Sequence, residues 1–185
     1  INISNLKSQI SKMQNNGGQL LLEILIVISV VAIVAGLASQ MVVVSMRANK
    51  IASERNVALG LIEETFEAVR NVGAERWQNI HSLSKGSANH YYPQQSGGKW
   101  VLATGEETIN INELDYNRYF IIDNASRDST TRDIEATYNS SNDDPSTQKI
   151  TVYVGWGEGE NISFSEYATR WRNKVCFQTE WSGTG

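Results

Sequence analysis

The sequence predicts an α+β protein, in which a long N-terminal α-helix packs on a C-terminal antiparallel β-sheet. An apolar run at residues 20–44 continues, without a proline, into an amphipathic stretch that ends near residue 78. In the rest of the chain, short segments in which apolar and polar residues alternate are separated by clusters of turn-forming residues. With 185 residues, of which 41% are hydrophobic, the chain suffices for one modest core.

Residues 1–18 form a short polar segment. They include Lys7 and Lys12, contain no acidic residue and end in Asn-Asn-Gly-Gly. Glycine pairs interrupt helices, so we expect this sequence to break any helix and the long helix to begin at Gln19.

Residues 19–46 are predicted to cross a membrane as a helix. No residue between Glu23 and Arg47 is charged. At about 1.5 Å per residue, this run exceeds the roughly 30 Å thickness of the hydrocarbon core. A secretory signal peptide has a shorter apolar region, of about 7–15 residues, placed before its cleavage site. Here the run is longer and follows the glycine pair, so cleavage at the glycines leaves it on the mature protein.

Residues 47–78 are predicted to continue the same helix as an amphipathic part. Charged residues such as Glu63 and Arg70 occupy one face, and Gly60 and Gly73 are candidate bends. The opposite face repeats at helical steps, which indicates a stripe that covers one side of the sheet. This stripe consists of Ile51, Ala58, Ile62, Thr65, Val69 and Val72.

Residues 79–185 are predicted to form the sheet-bearing head. Glycine, asparagine and aspartate turns between the strands favour antiparallel pairing. In the clearest strand, Ile150, Val152, Val154 and Trp156 share one face. Residues 81–98 are predicted to be a loop and residues 140–146 a turn. The predicted strands are residues 100–103, 108–111, 116–124, 133–138, 149–156, 161–164 and 174–179.

The N-terminal pattern GGQLLLEILIVISVVAIVAG, at residues 17–36, resembles the cleavage and methylation motif of type IV pilins and secretion pseudopilins. In that family a short basic leader ends in glycine, and the mature chain begins with an apolar helix whose fifth residue is glutamate. Gly18 matches the glycine, Gln19 the first mature residue and Glu23 the glutamate. Residues 119–181 also look like bacterial minor pilin-like proteins.

The resemblance implies that residues 1–18 are a prepilin leader. A prepilin peptidase is expected to cut after Gly18 and to methylate the new amine of Gln19. An ionised carboxylate among apolar residues costs several kcal/mol unless it is paired. We therefore expect Glu23 of one subunit to pair with the Gln19 amine of a neighbour in the filament. The alternative is that Glu23 merely sits at the membrane surface, and that Gly18 is an ordinary linker residue.

Three departures from the family pattern favour a minor or atypical subunit over a major pilin. Gln19 replaces the usual phenylalanine, the apolar helix lacks a midway proline, and Cys176 is the single cysteine, so no intrachain disulfide closes a loop. Cys176 is expected to be a small buried hydrophobe, or else to have a partner outside this chain.

No catalytic residue, metal ligand or cofactor site is predicted. His81 and His90 lie in loop-like sequence, and the glycine-rich residues 155–160 lack the Lys-Ser/Thr of a phosphate-binding loop, which indicates a hairpin turn. Residues 142–144, Asn-Asp-Asp, lack the spacing of an EF-hand calcium loop. The aromatic residues Tyr91, Tyr92, Trp171 and Trp181 are expected to pack in the sheet, and a sugar-binding surface is the alternative.

The expected function is that of a structural subunit, a minor pilin or pseudopilin, in a type IV pilus or a related secretion filament. Its expected partners are other pilin subunits, the prepilin peptidase, an inner-membrane assembly platform and membrane lipid. A net charge of −4 does not suggest a nucleic-acid-binding surface. The expected location is a single-pass membrane protein with its sheet outside the cytoplasm, and after assembly a cell-surface filament. The alternative is a single-pass membrane-anchored extracellular ligand-binding protein that does not assemble.

Overall fold

A computed structural model describes residues 3–170, and among residues 3–17 it describes the side chains of Ser4 and Lys7 alone. The chain divides into two compact units, Ile1–Glu54 and Arg55–Gly185. The predicted α+β class is confirmed. The helices are α1 (Ile3–Glu75) and α2 (Gln78–His81), with a short 3-10 helix at Ser140–Asn142. The strands are β1 (Tyr91–Ser96), β2 (Lys99–Thr104), β3 (Glu107–Ile111), β4 (Leu114–Ser126), β5 (Asp143–Trp156) and β6 (Glu160–Thr169).

Helix α1 runs through the Asn-Asn-Gly-Gly sequence without a break. The predictions that this sequence ends a helix and that the long helix begins at Gln19 are therefore wrong. Glycine in a helix interior costs about 1 kcal/mol relative to alanine, which weakens a helix without ending it. No proline lies within α1, and Gly60 and Gly73 also lie within the continuous helix. The glycine pair thus marks a part of α1 that is easy to unwind, not its beginning.

The sheet has six antiparallel strands in the order β2-β1-β4-β5-β6, and β3 pairs additionally with β4. Strand β4 is central. Its one edge pairs with β5 over most of its length. Its other edge pairs first with β3 at residues 114–118 and then with β1 at Phe120. Five predicted strands are confirmed, each with longer bounds, as β2, β3, β4, β5 and β6.

The core of the second unit lies between one face of the sheet and the last part of α1. The predicted helical stripe is confirmed from Ala58 onwards, whereas Ile51 is 63% exposed and does not belong to it. Burying each large apolar side chain stabilises a fold by about 1.5–3 kcal/mol. The core side chains are Ala58, Leu61, Ile62, Val69 and Val72 of α1, Ile80 of α2, and Tyr91, Tyr116, Phe120, Ile122, Ile150, Val152 and Val154 of the sheet.

Strand β1 lies within residues 81–98, which the sequence predicted to be a loop. This prediction is wrong for Tyr91–Ser96, because Gly97 and Gly98 form a two-residue turn with positive φ that folds β1 against β2. The turn glycines supply the backbone conformation, so the polar second half of β1 can pair despite its weak strand propensity. Pro93 cannot donate a ladder hydrogen bond, and β1 pairs with β4 only at Tyr91.

Residues 133–138 form a loop and not the predicted strand. Their single ladder contact is an isolated bridge between Arg127 and Ile134. The loop is held by turn contacts instead: the Asp128 carboxylate accepts from the backbone N–H groups of Thr130 and Thr131. Alternation of apolar and polar residues was a false signal here, because the segment is mostly exposed and no covered face imposes a period of two. The strand predicted at residues 174–179 lies outside the described residues.

The turn of the hairpin between β3 and β4 places two non-glycine residues at positive φ. Its turn residues Asn112 and Glu113 have φ of 53° and 65°, the conformation of a type I′ turn, in which glycine is favoured at the second position. We expect Glu113→Gly to stabilise the head by about 0.5–1 kcal/mol, because glutamate is strained at positive φ. Chemical denaturation of the full chain in detergent, followed by tryptophan fluorescence, measures this.

The matched control is Glu158→Gly. Glu158 lies in the next hairpin turn between two glycines, but its own φ is not positive. Glycine there adds only chain entropy to the unfolded state and lowers stability or leaves it unchanged. Equal effects of the two substitutions contradict the assigned turn strain.

Candidate functional site

The apolar part of α1 is the main candidate for a functional surface in this chain. Its side chains from Leu20 to Met46 are exposed throughout, with large residues such as Leu21 and Met41 at 71% and 73%. Among the described residues, one helical stretch, Gly18–Glu75, is long and apolar enough to cross a membrane. Its apolar 18-residue window has a mean hydropathy of 2.9 and no buried residue. So large an apolar surface requires lipid or another protein as its cover.

The three predicted site residues lie together at the start of this apolar stretch. Gly18, Gln19 and Glu23 are all exposed on continuous helix. Gln19 and Glu23 are four residues apart, so they share one face of α1. A Cβ added at Gly18 meets no atom within 4 Å, so the backbone there is open to approach. These placements leave the predicted roles of the three residues as predictions.

Two hydroxyl groups within the apolar stretch are satisfied by the helix itself. Ser29 Oγ donates to the carbonyl of Leu25 at 2.7 Å, and Ser39 Oγ donates to the carbonyl of Ala35 at 2.9 Å. A hydroxyl without a partner is costly in an apolar environment. These bonds therefore let both serines enter lipid or a helix bundle at low cost.

His90 belongs to a polar and aromatic cluster on the sheet. Its Nδ1 lies 2.7 Å from Glu106 Oε1, and its Nε2 lies 3.0 Å from the carbonyl of Ser87. The ring also stacks on Tyr119, with centroids 4.1 Å apart. Hydrogen bonds from Asn117 and then His90 hold the pKa of Glu106 below its usual value. Both imidazole nitrogens are engaged by the fold, so the cluster fits a structural role.

The other polar candidates are also engaged by neighbouring groups. Asp144 accepts from Arg127 Nε and Thr147 Oγ1, each at 2.6 Å, and Asp143 accepts from the Tyr138 hydroxyl at 3.1 Å. Within residues 3–170 no group of three His, Cys, Asp or Glu side chains could hold a metal ion. The predicted turn at residues 155–160 is confirmed, since Gly157 and Gly159 adopt positive φ between β5 and β6.

The aromatic residues of the sheet stack on one another. Tyr119 and Tyr153 lie on adjacent strands with ring centroids 5.0 Å apart and planes 13° apart. A sugar platform needs ring faces open to solvent, whereas here Tyr119 presents its faces to His90 and Tyr153. Tyr91 is buried, as predicted for sheet packing. Trp171, Trp181 and Cys176 lie outside the described residues.

Comparison with protein-family models, curated proteins and solved structures gave no match to this chain. The chain's own residues and the motif in its N-terminal helix are therefore the guide to its function.

Two features of the head were not predicted from the sequence. Arg118 is 3% exposed and bonds α1 to the sheet, although a single arginine in a strand indicates a solvent-facing residue. Lys85 and Glu135 line a cavity beside the end of β4. The sequence does not show that Lys85 and Glu135 lie close together, because contact between distant loops depends on the order of the strands in the sheet.

Proposed function

We propose that this chain is a structural filament subunit, a minor pilin or pseudopilin, that is cleaved after Gly18, N-methylated at Gln19 and assembled through its apolar helix. The observation that carries the proposal is an uncovered apolar stretch of α1 with a single carboxylate, Glu23, near its start. The resemblance of residues 17–36 to the pilin motif supports it. The prepilin peptidase and the inner-membrane assembly platform are the partners it requires.

The apolar stretch serves two environments in turn. Residues 20–44 rise about 38 Å as a helix, enough for the roughly 30 Å hydrocarbon core, and they anchor the new subunit in the membrane. After extraction they pack against the same stretch of other subunits. Lipid tails and a helix bundle are both apolar, so transfer between them carries no large penalty from hydrophobicity.

The glycine pair allows the peptidase to act on a helix. A protease binds its substrate in an extended form, so α1 must unwind around Gly18 before cleavage. Glycine lowers the free energy of that unwinding by about 1 kcal/mol per residue relative to alanine. The open space around the Gly18 Cα lets another backbone approach closely.

The test is the N-terminus of the protein recovered from its native cells. Intact-mass and peptide mass spectrometry are expected to show a chain that begins at N-methylated Gln19 and retains the apolar stretch. A chain that still begins upstream of Gln19, or that has lost the apolar stretch, contradicts the proposal. Retention of the upstream segment with a membrane location instead supports the anchored, non-assembling alternative.

A matched pair of substitutions tests the role of Gly18. Gly18 and Gly36 both lie in α1, and a Cβ at either position meets no atom within 4 Å. Neither Gly18→Ala nor Gly36→Ala is therefore expected to strain the chain. We expect Gly18→Ala to block cleavage and Gly36→Ala to leave it unchanged, as measured by the same mass spectrometry.

A further inference from the structure

A cavity of about 410 Å³ opens in the head, where the end of β4, the loop before the 3-10 helix and the segment after α2 meet. Its volume falls within the roughly 300–1,000 Å³ that is typical of small-ligand sites. Four of its lining residues are ionisable groups of opposite sign: Lys85 and Lys149, Asp123 and Glu135. The cavity therefore combines two cationic and two anionic groups in one small volume.

Three of the lining side chains form a row across the sheet. Asp123 of β4 lies directly opposite Lys149 of β5, and Lys149 lies directly opposite Tyr167 of β6. Opposed residues of antiparallel strands project from the same face. Within the described part of the chain, Lys149 has no ion-pair partner, although Asp123 is its cross-strand neighbour. The Lys149 ammonium is thus available to a carboxylate.

Lys85 is held in place by the fold. Its Nζ donates to the carbonyls of Ile80 at 3.0 Å and His81 at 2.9 Å. An ammonium has three N–H donors, so one remains for a ligand. Burial lowers the pKa of Lys85 to about 8, and the charge of Asp123 offsets part of this effect. Below that pH the group is mostly an ammonium, fixed at the cavity wall.

Glu135 supplies the unsatisfied acceptor. Its backbone N–H donates to the carbonyl of Ser126 at 2.9 Å, and its Oε1 accepts from Asn142 Nδ2 at 3.1 Å. Its Oε2 is enclosed and has no donor among the described residues. A buried acceptor without a donor costs about 1–3 kcal/mol, more when it is charged. Glu135 lines the cavity, so a rotation of its carboxylate about the last side-chain torsion brings this oxygen to a ligand ammonium, which supplies the missing donor.

The rest of the wall is aromatic. Tyr138 and Tyr167 line the cavity and are 46% and 38% exposed. Tyrosine rings bind apolar groups through area burial and attract cations through their faces. A molecule that carries a carboxylate, an ammonium and an apolar group matches all three kinds of side chain in this wall.

We propose that this cavity binds a small zwitterion of the α-amino-acid class, with an aromatic or long apolar side chain. Lys149 and the free donor of Lys85 hold the ligand carboxylate. Glu135 and Asp123 hold its ammonium, and the two tyrosines contact its side chain. The site lies entirely in the head, so this proposal does not depend on cleavage or filament assembly.

The experiment is isothermal titration calorimetry of the full chain in detergent micelles, with L-phenylalanine and L-leucine as probes. At least one is expected to bind with a dissociation constant below about 1 mM. Phenethylamine lacks the carboxylate and 3-phenylpropanoate lacks the ammonium. Each is expected to bind at least about tenfold more weakly than L-phenylalanine, since each loses charge-assisted hydrogen bonds.

Variants assign the binding to this cavity. Lys149→Met and Glu135→Gln are each expected to weaken binding by about tenfold or more. Lys50→Met and Glu158→Gln remove matched charges away from the cavity, and they are expected to leave the affinity unchanged. Circular dichroism melting of every variant shows whether it folds. If one cavity variant fails to fold, the other carries the test.

Three results overturn the proposal. The first is no heat of binding for either probe up to its solubility limit. The second is binding of phenethylamine or 3-phenylpropanoate as tight as that of L-phenylalanine, which indicates a simple charge or apolar contact. The third is unchanged affinity in a folded Lys149→Met or Glu135→Gln protein, which places the ligand elsewhere.

Discussion

Glu23→Ala is expected to reduce incorporation of the protein into filaments by about tenfold or more, while its amount in the membrane stays normal. Within the apolar stretch an amine at Gln19 has no other anion close by, since no charged residue lies between Glu23 and Arg47. Leaving that amine unpaired in an apolar filament core costs several kcal/mol, and about 1.4 kcal/mol already corresponds to a tenfold change. Quantitative immunoblots of sheared filaments and of membranes measure both pools.

Two further variants make the Glu23 experiment specific. Glu23→Asp keeps the charge on a shorter side chain, so partial incorporation is expected. Glu63→Ala removes an exposed carboxylate from the later part of α1 and is expected to assemble normally. Normal incorporation of Glu23→Ala refutes the pairing of Glu23 with the amine. A loss that is equally large in Glu63→Ala points to a general effect of charge.

Arg118→Ala is expected to destabilise the head more than any other substitution of a charged residue in the described chain. Nε and Nη2 of Arg118 both donate to Glu107 Oε2, and Nη1 donates to Glu64 Oε1 at 3.2 Å and to the carbonyl of Leu61 at 3.4 Å. Removing one member of a buried ion pair costs about 3–5 kcal/mol. The two carboxylates are 45% and 29% exposed, so water compensates them and we expect the lower end of that range.

The control for Arg118 is Arg70→Ala. Arg70 also contacts two carboxylates, Glu67 at 3.1 Å and Glu166 at 3.0 Å, but its side chain is 49% exposed. Exposed ion pairs contribute at most about 1 kcal/mol, so the effect is expected to be small. Chemical denaturation of both full-length variants in detergent gives the comparison. Similar losses of stability in the two variants contradict the assigned importance of burial.

The sequence predicted the elements whose pattern depends on burial. Ile150, Val152 and Val154 alternate because one face of β5 is covered, and the stripe from Ala58 to Val72 repeats because one face of α1 is covered. Period two and period 3.6 are direct consequences of these arrangements. The fold class could therefore be predicted from the residues alone.

The wrong predictions concern segments whose structure depends on something other than burial. Strand β1 forms because Gly97 and Gly98 provide a tight turn, although its sequence includes Pro93 and two glutamines. Residues 133–138 alternate, but they are mostly exposed and touch the sheet ladder only through the isolated bridge at Ile134. Helix propensity alone could not decide whether the glycine pair near residue 18 ends a helix, because glycine weakens a helix without excluding it.

The candidate site was predicted only where it is local in sequence. Gly18, Gln19 and Glu23 lie within six residues of the chain, so their spacing could be compared with a known motif. The cavity residues Lys85, Asp123, Glu135 and Lys149 come from four separate segments. Only the strand register brings them together, and one sequence does not provide that register.

The inward hydrogen bonds of Ser29 and Ser39 have a mechanical consequence for a polymer built from this helix. Both hydroxyls donate to carbonyl groups of their own helix, so they have no hydrogen left to donate to an adjacent helix. Contacts between such helices are made mainly by dispersion. The dispersion energy changes little when one helix slides or rotates past another. Under tension a bundle of these helices is expected to stretch by sliding before it ruptures, and the proposed ion pair between Glu23 and the Gln19 amine then sets the limit of extension.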